Sequence, residues 1–306
     1  MLKKISLIVI VITVTTFTNK ILAQTDSSKS IDLFADIENE GKIITAIDYA
    51  SATFKSTRII NSHSVEMIGK HNLDYRISHR FGYINTGIYD LFGLDNASMR
   101  NGLEYGITNK LNIGLGRSSI DKEFDGYVKY KLLSQSSGKV TMPISLVYLF
   151  SAMHNTLKST KELSFTNRMA YAHQLLIARK FNENISFQLM PSLVHINAVP
   201  LAKDDNNLYS LGAGGRIKLS KRVAINAEYF YQFNRLFGST NSASIGFDIE
   251  TGGHVFQLHF TNSTGLTERT FITNTTGNWG DGDIRFGFNV ARTFVTKKAK
   301  GSRNSY

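Results

Sequence analysis

Cysteine is absent from the 306 residues. That excludes a disulfide framework, thiolate metal ligation and a lipid anchor built on a processed cysteine. Proline is scarce, at three against 24 glycines, and tryptophan occurs once. A chain so poor in proline can run long sheet ladders, which proline interrupts by removing a backbone donor. Beyond the first residues, no run approaches the ~18 consecutive apolar positions of a spanning helix. What the sequence does have is aromatic: 13 Tyr and 20 Phe.

The first residues read as an export signal. Lys3 and Lys4 precede the apolar core Ile5–Phe17, and Ile21-Leu22-Ala23 supplies a small residue before Gln24. This predicts a signal peptide over residues 1–23, with Lys20 unusually close to the cut. Its removal leaves 32 basic side chains against 24 acidic. Those charges are scattered singly, without a stripe or a binding motif, so they read as a solvated surface and a polar interior rather than a nucleic-acid face.

Residues 24–66 are the least regular, with an acidic patch at Asp32, Asp36, Glu38 and Glu40. They are expected to form a periplasmic extension or a segment inserted into a lumen. From residue 67 to 294 alternation becomes countable. In Gly102–Gly116, Leu103, Tyr105 and Ile107 alternate with Glu104, Gly106 and Thr108. After Asn109-Lys110, Leu111, Ile113 and Leu115 alternate with Asn112, Gly114 and Gly116. That is a hairpin with one apolar face. Similar units predict strands near 67–80, 98–107, 111–119, 124–133, 140–151 and 163–179. Six more fall near 185–195, 208–219, 223–234, 243–250, 254–261 and 283–294. Short links at 108–110, 134–139, 182–184, 220–222 and 251–253 alternate with generally longer ones, the last being 262–282. Residues 295–306 form a basic tail containing Lys297, Lys298 and Lys300.

Strands of about ten residues with alternating short and long connections predict an all-β fold, an antiparallel up-and-down transmembrane β-barrel of about twelve strands. A soluble sandwich also alternates, but uses shorter strands and fewer of them. In lipid every backbone polar group must be paired, and closing the sheet achieves this without an edge. The apolar face then meets lipid, with Tyr130, Tyr148, Phe150, Phe181, Tyr231, Phe233 and Phe294 near strand ends, where interfacial aromatics sit. The polar face places Asp74, Arg76, Arg100, Glu104, Lys129, Lys131 and Arg168 in the lumen. Arg216, Lys218, Glu228, Asp248, Glu250, His259 and Arg285 continue that set, and Glu104 is expected to pair with Arg100 or Arg76. The basic excess suggests a mild preference for anions in a narrow or plugged lumen.

Residues 53–82 (TFKSTRIINSHSVEMIGKHNLDYRISHRFG), 89–119, 172–181, 247–265 and 277–294 (GNWGDGDIRFGFNVARTF) are long, specific stretches. Together they resemble a Bacteroidota family of outer-membrane β-barrel proteins of unknown function. The resemblance implies a barrel exported to the outer membrane of a diderm bacterium. It implies no substrate and no catalytic residue.

Chemistry is thinly signalled. His259 lies on the lumen side without a serine nucleophile motif, and His63-Ser64 and Ser78-His79 are adjacent residues that point to opposite faces. The eight histidines form no HxH or HxxxH pair, so no metal site is expected. Asp204-Asp205 and the GNWGDGD stretch at 277–283 offer oxygen ligands for calcium but more simply solvate turns. Trp279 reads as a loop anchor. No catalytic residue, metal or other cofactor is implied. The implied partners are outer-membrane lipid, the assembly machinery during insertion and a periplasmic partner. The expected role is a narrow passive channel or the membrane component of an envelope transport system. The alternative is a closed barrel acting through its external loops, with an outer-membrane hydrolase behind both.

Overall fold

Period-two alternation gives each of these segments two distinct faces, and closing the sheet keeps those faces on opposite sides of a wall without leaving an unpaired edge. The computed structural model describes residues 46–158 and 163–297. The signal peptide, residues 24–45 and the tail from residue 298 lie outside the described residues.

Twelve antiparallel strands close into one barrel. They are β2 (Asn72–Tyr83), β3 (Ala97–Gly106), β4 (Leu111–Ser118), β5 (Phe124–Leu133), β7 (Ser145–His154) and β8 (Met169–Lys180), then β9 (Ile185–Ile196), β10 (Asn207–Lys218), β11 (Val223–Gln232), β12 (Ser242–Thr251), β13 (His254–Thr261) and β14 (Arg285–Val295). Each pairs with its sequence neighbours. The last closes on the first, with Phe294 opposite Leu73 and Thr293 opposite Asp74. The remaining strands, β1 (Ile47–Tyr49) and β6 (Ser136–Gly138), form a separate antiparallel ribbon with Ile47 opposite Gly138. It stands at the end of the barrel that carries the short turns.

Three expected boundaries move, each for a local reason. The first strand starts at Asn72 instead of 67, because Lys70 and His71 are still approaching the wall, with the Lys70 N–H on Asn109 Oδ1. The strand expected from 140 starts at Ser145, because Ser136 and Met142 first bridge each other. The strand expected from 163 starts at Met169, after a 3-10 turn over Thr166–Arg168.

Burial separates the two faces. In the Gly102–Gly116 hairpin Leu103 is 39% exposed and Leu115 62%, whereas Glu104 is 3% exposed. Outward-facing Ile113, Val128, Tyr130, Tyr229, Phe247 and Leu258 are likewise exposed. Such a girdle of large apolar side chains suits hydrocarbon. Leu115 lies mid-strand in β4, so Leu115→Arg is expected to destabilise the barrel in vesicles by about 2–4 kcal/mol. The measurement is the urea midpoint of the heat-modifiable gel band, and an unchanged midpoint would place this face away from lipid.

Candidate functional site

The interior of the barrel is filled rather than open. Two segments enter it from opposite ends, and every residue from Val65 back to Phe54 except the half-buried Lys55 is buried there. This first segment has no sheet partner. It folds on itself into a hairpin: the Ile59 N–H donates to the Ser62 carbonyl at 2.9 Å, and the Ser64 N–H to that of Thr57 at 2.9 Å. Arg58 and His63 bridge across it.

A buried hairpin outside the ladder must find donors and acceptors elsewhere. The barrel wall supplies them with side chains. Glu228 of β11 takes the tip: its carboxylate accepts from the N–H groups of Ile60, Asn61 and Ser62 at 3.3, 2.8 and 3.1 Å, and from the Ser62 hydroxyl at 2.6 Å. Successive N–H groups converging on one anion make a nest, here inverted so that the wall holds the anion. Around it, Gln257 Nε2 donates to the Ile59 carbonyl at 2.8 Å and Asn289 Nδ2 to that of Ile60 at 2.9 Å. Arg80 Nη2 reaches Asn61 Oδ1 at 2.7 Å, and Asn61 Nδ2 reaches the Ser244 hydroxyl at 2.9 Å. Lower down, Gln188 both donates to the His63 carbonyl and accepts from the Val65 N–H.

The second segment is the start of the β13–β14 connection. The sequence reads 262–282 as an external loop, but residues 262–273 fold back into the barrel and are buried apart from partly buried Thr264. A single π-helical turn, Arg269–Thr273, puts Phe271 and Ile272 inside, both 0% exposed. Phe271 meets Phe230 edge-on at 5.1 Å between ring centroids. Arg269 pairs with Asp121 and Glu123 of the β4–β5 connection, and the Thr267 hydroxyl donates to Glu123. Burial pushes the Glu123 carboxyl up, against the pull of Arg269. Burial alone would lower Arg269, and the two carboxylates more than offset it.

The two segments meet at Glu268. Its Oε1 lies 3.4 Å from His63 Nε2 and 3.6 Å from Arg58 Nη1 of the hairpin, and its Oε2 accepts from the Ser151 hydroxyl of β7 at 3.1 Å. One carboxylate thus touches the hairpin, the folded-back loop that carries it, and the wall.

The wall itself is divided. From β2 to β5 it is charged. Arg100 lies across Gly102 and Gly116, where a Cβ at either position would collide with its guanidinium. The two glycines thereby let Arg100 reach Asp125, with Nε on Oδ1 at 2.8 Å and Nη2 on Oδ2. Glu104 consequently pairs with neither Arg100 nor Arg76. It accepts from Asn112 at 2.7 Å and Tyr127 at 3.1 Å, with Lys129 at 3.8 Å. Arg76 pairs with Asp74 at 3.2 Å and donates to Ser56 of the hairpin. From β7 to β9 the inner face is largely apolar instead: Val147, Leu149, Met153, Ala172, Leu176, Met190 and Val194 are all 0% exposed, with Ser151, Gln174 and Gln188 set among them. Apart from Leu149, they share one core with Ile59, Ile60, Phe271 and Ile272. An interior polar all round is thus corrected; where the plug is apolar, the wall is a protein core.

Asp74, Arg76, Arg100, Glu104, Lys129, Arg216, Glu228, Asp248 and His259 are buried inside the barrel. Lys131, Lys218 and Arg285 are partly buried near strand ends. Arg285 stacks on Tyr83 at 3.5 Å and donates to the Phe81 carbonyl at the long-loop rim. Glu250 is exposed at the short-turn rim, where Lys55 pairs with it. Arg168 is off the inner face. It belongs to the turn before β8 and donates to the carbonyls of Leu163, Asn155 and Leu157, because the strand begins one residue later. Asp125 escapes the sequence reading although it shares a face with Lys129, four residues on. Arg58, Glu268 and Arg269 escape it because they lie in segments without alternation.

Among the described residues no group of three or more His, Asp or Glu is placed to hold a metal. Asp204 accepts from the Leu201 and Phe237 N–H groups, and Asp205 from Asn234. The Asp283 carboxyl is held below the usual range by the Asn278 N–H and by Asn85. The Trp279 indole donates to the Ala243 carbonyl at 3.1 Å, pinning its loop to β12.

A family profile described as "Membrane bound beta barrel domain (DUF5777)" matches residues 54–294. No curated protein sequence matches the chain. Among solved structures, the NanC porin is similar at 10% identity and a TM-score of 0.46, over 72% of this chain and 98% of that one. The KdgM porin is similar at 13% identity and 0.43, over 73% and 99%. The outer membrane protein Omp33 of Acinetobacter baumannii is similar at 9% and 0.41, over 74% and 100%. These are likenesses between barrels, and nothing about a solute or partner is carried across from them.

Proposed function

The chain belongs to this family of membrane-bound β-barrel domains, and from that premise we propose that it acts in the outer membrane of a diderm bacterium as a gated passive channel, closed at rest. The short-turn end then faces the periplasm and the long loops face outward. The observation that carries the reading is how the 53–66 hairpin is held. It is docked by side-chain hydrogen bonds to its backbone and takes no part in the barrel ladder. Its withdrawal toward the periplasm would break no inter-strand pairing. It would leave the charged inner faces of β2–β5 and the polar ones of β11–β14 to line water, the setting in which such groups select among ions.

The second reading is a barrel sealed for good, acting through its outer loops. It is favoured by the apolar contacts of Ile59, Phe271 and Ile272, which opening would wet. Neither reading includes catalysis. Of the outward-facing histidines, His173 hydrogen-bonds Tyr148 and His195 hydrogen-bonds Asn207, and neither partner is a serine-type nucleophile.

A cysteine-free chain permits a clean test. Asn61 and Ser244 touch across the docking surface, and the pair Asn61→Cys/Ser244→Cys can tie the hairpin to β12. In planar bilayers the native chain is expected to be mostly silent with brief openings. The oxidised pair should abolish them, and a reductant should restore them. Steady open conductance of the native chain would sink the gate, and silence under every condition would select the sealed barrel.

A further inference from the structure

We propose that the outer wall of the barrel carries a binding site for one hydroxyl-bearing acyl chain of an outer-leaflet lipid. The proposal rests on the membrane seating of the fold and not on gating, so an open or a sealed lumen leaves it untouched.

Three observations coincide on the lipid-facing side of β7–β11. The first is a groove of about 460 Å³ running obliquely from Tyr148 across Leu175 and Leu193 to Tyr209 and Phe233. Tyr209 and Phe233 lie close to the long-loop ends of β10 and β11, which puts the mouth of the groove in the outer leaflet. The second is a break in the sheet beneath it. Between β8 and β9 the register pairs Gln174 with Ser192 and Ile177 with Leu189, leaving Leu175 and Leu176 unpaired opposite Met190 and Pro191. Proline has no N–H to give, and a central strand is an unusual place for it. In hydrocarbon, a carbonyl deprived of its ladder donor cannot turn to water and needs a donor from elsewhere.

The third is an ionisable side chain where lipid should be. His173 faces outward from the middle of β8, exposed, with Phe150 and Leu193 as its cross-strand neighbours. Its Nδ1 is 2.7 Å from the Tyr148 hydroxyl. The tautomer in which Tyr148 donates to Nδ1 leaves Nε2–H free to donate, and Nε2 makes no hydrogen bond to a described residue. Polar groups at membrane depth are costly and mark function by default.

An all-hydrocarbon chain would fill the groove but satisfy neither polar group. A hydroxyl can accept from His173 Nε2 and donate to the β8 carbonyl that Pro191 leaves without a ladder donor, and the chain on either side of it packs along Leu175, Leu193 and Phe233. A second copy of this barrel would cover the same face but would bring mainly apolar side chains to it.

The test uses the full-length chain purified in detergent and two probes, 3-hydroxytetradecanoic acid and tetradecanoic acid, with retention read by native mass spectrometry. The native chain should hold one molecule and favour the hydroxylated probe by about five- to ten-fold, the worth of one net hydrogen bond. Leu193→Trp, which fills the groove, should abolish retention of both. His173→Phe should keep retention and lose most of the preference. Equal retention of the two probes by the native chain, or retention unchanged in Leu193→Trp, would overturn the proposal. So would a dimer that Leu193→Trp dissociates, because the face would then belong to a second copy. Both variants change lipid-facing side chains, and the heat-modifiable gel band reports that the barrel is intact.

Discussion

Replacing Glu228 by alanine is expected to turn a mostly silent barrel into a conducting one. The carboxylate is the common acceptor for three consecutive N–H groups and one hydroxyl at the hairpin tip. Alanine removes all four acceptor contacts at once and leaves the donors buried without partners. An unsatisfied buried donor costs about 1–3 kcal/mol. Allowing for water filling the vacated space, the docked state should lose about 3–4 kcal/mol, or two to three orders of magnitude in the closed-to-open ratio. The β-ladder does not include the hairpin, so the barrel should keep its heat-modifiable migration while amide exchange rises at residues 57–64. Glu228→Gln retains one carbonyl acceptor and should fall between the two. Silence together with unchanged exchange at those residues would show that the tip contributes nothing to closure. If the alanine variant fails to insert, Ser62→Ala removes only the shortest of the four contacts and should give a smaller shift in the same direction.

The parts of this site differ in how legible they are in the sequence. Alternation along β11 places Glu228 on the inner face, because Glu228 follows Asn226 with Ala227 and Tyr229 on the other side. The partners of Glu228 are illegible: they are backbone N–H groups of a hairpin with no period, and the side chains at 60–62 do not announce them. The twelve strands and their closure follow from periodicity and connection lengths alone. The folded-back 262–273 segment does not, since a long connection after a strand reads the same whether it leaves the barrel or enters it. The apolar inner face of β7–β9 hides for a related reason. Alternation with Leu146, Tyr148 and Phe150 puts Val147 and Leu149 on the inner face, yet the sequence gives no reason for apolar residues there, and only the apolar plug opposite explains why both faces of one strand avoid charge. Glu104 shows the limit of reasoning by proximity. Arg100 is its neighbour in sequence, yet two glycines free that guanidinium to reach a carboxylate two strands away.

That displacement makes Asp125 the second sensitive position, through stability rather than gating. Arg100 is 3% exposed, and its Nε and Nη2 both spend their hydrogen bonds on Asp125. Asp125→Ala strands a buried guanidinium, and losing one partner of a buried pair costs about 3–5 kcal/mol. Glycines at 102 and 116 aggravate the loss, because they offer Arg100 space but no acceptor side chain. The double variant Arg100→Ala/Asp125→Ala removes both charges and should recover much of the loss, because no buried charge is then left alone. The urea midpoints of the heat-modifiable band for the two single variants and the double variant give the coupling directly. If the double variant loses as much as the singles added together, the pair is uncoupled and the argument fails. If it is more stable than Asp125→Ala, the bidentate pair is a constraint on which base meets which acid, and Glu104 is left to Lys129 because Asp125 already holds Arg100.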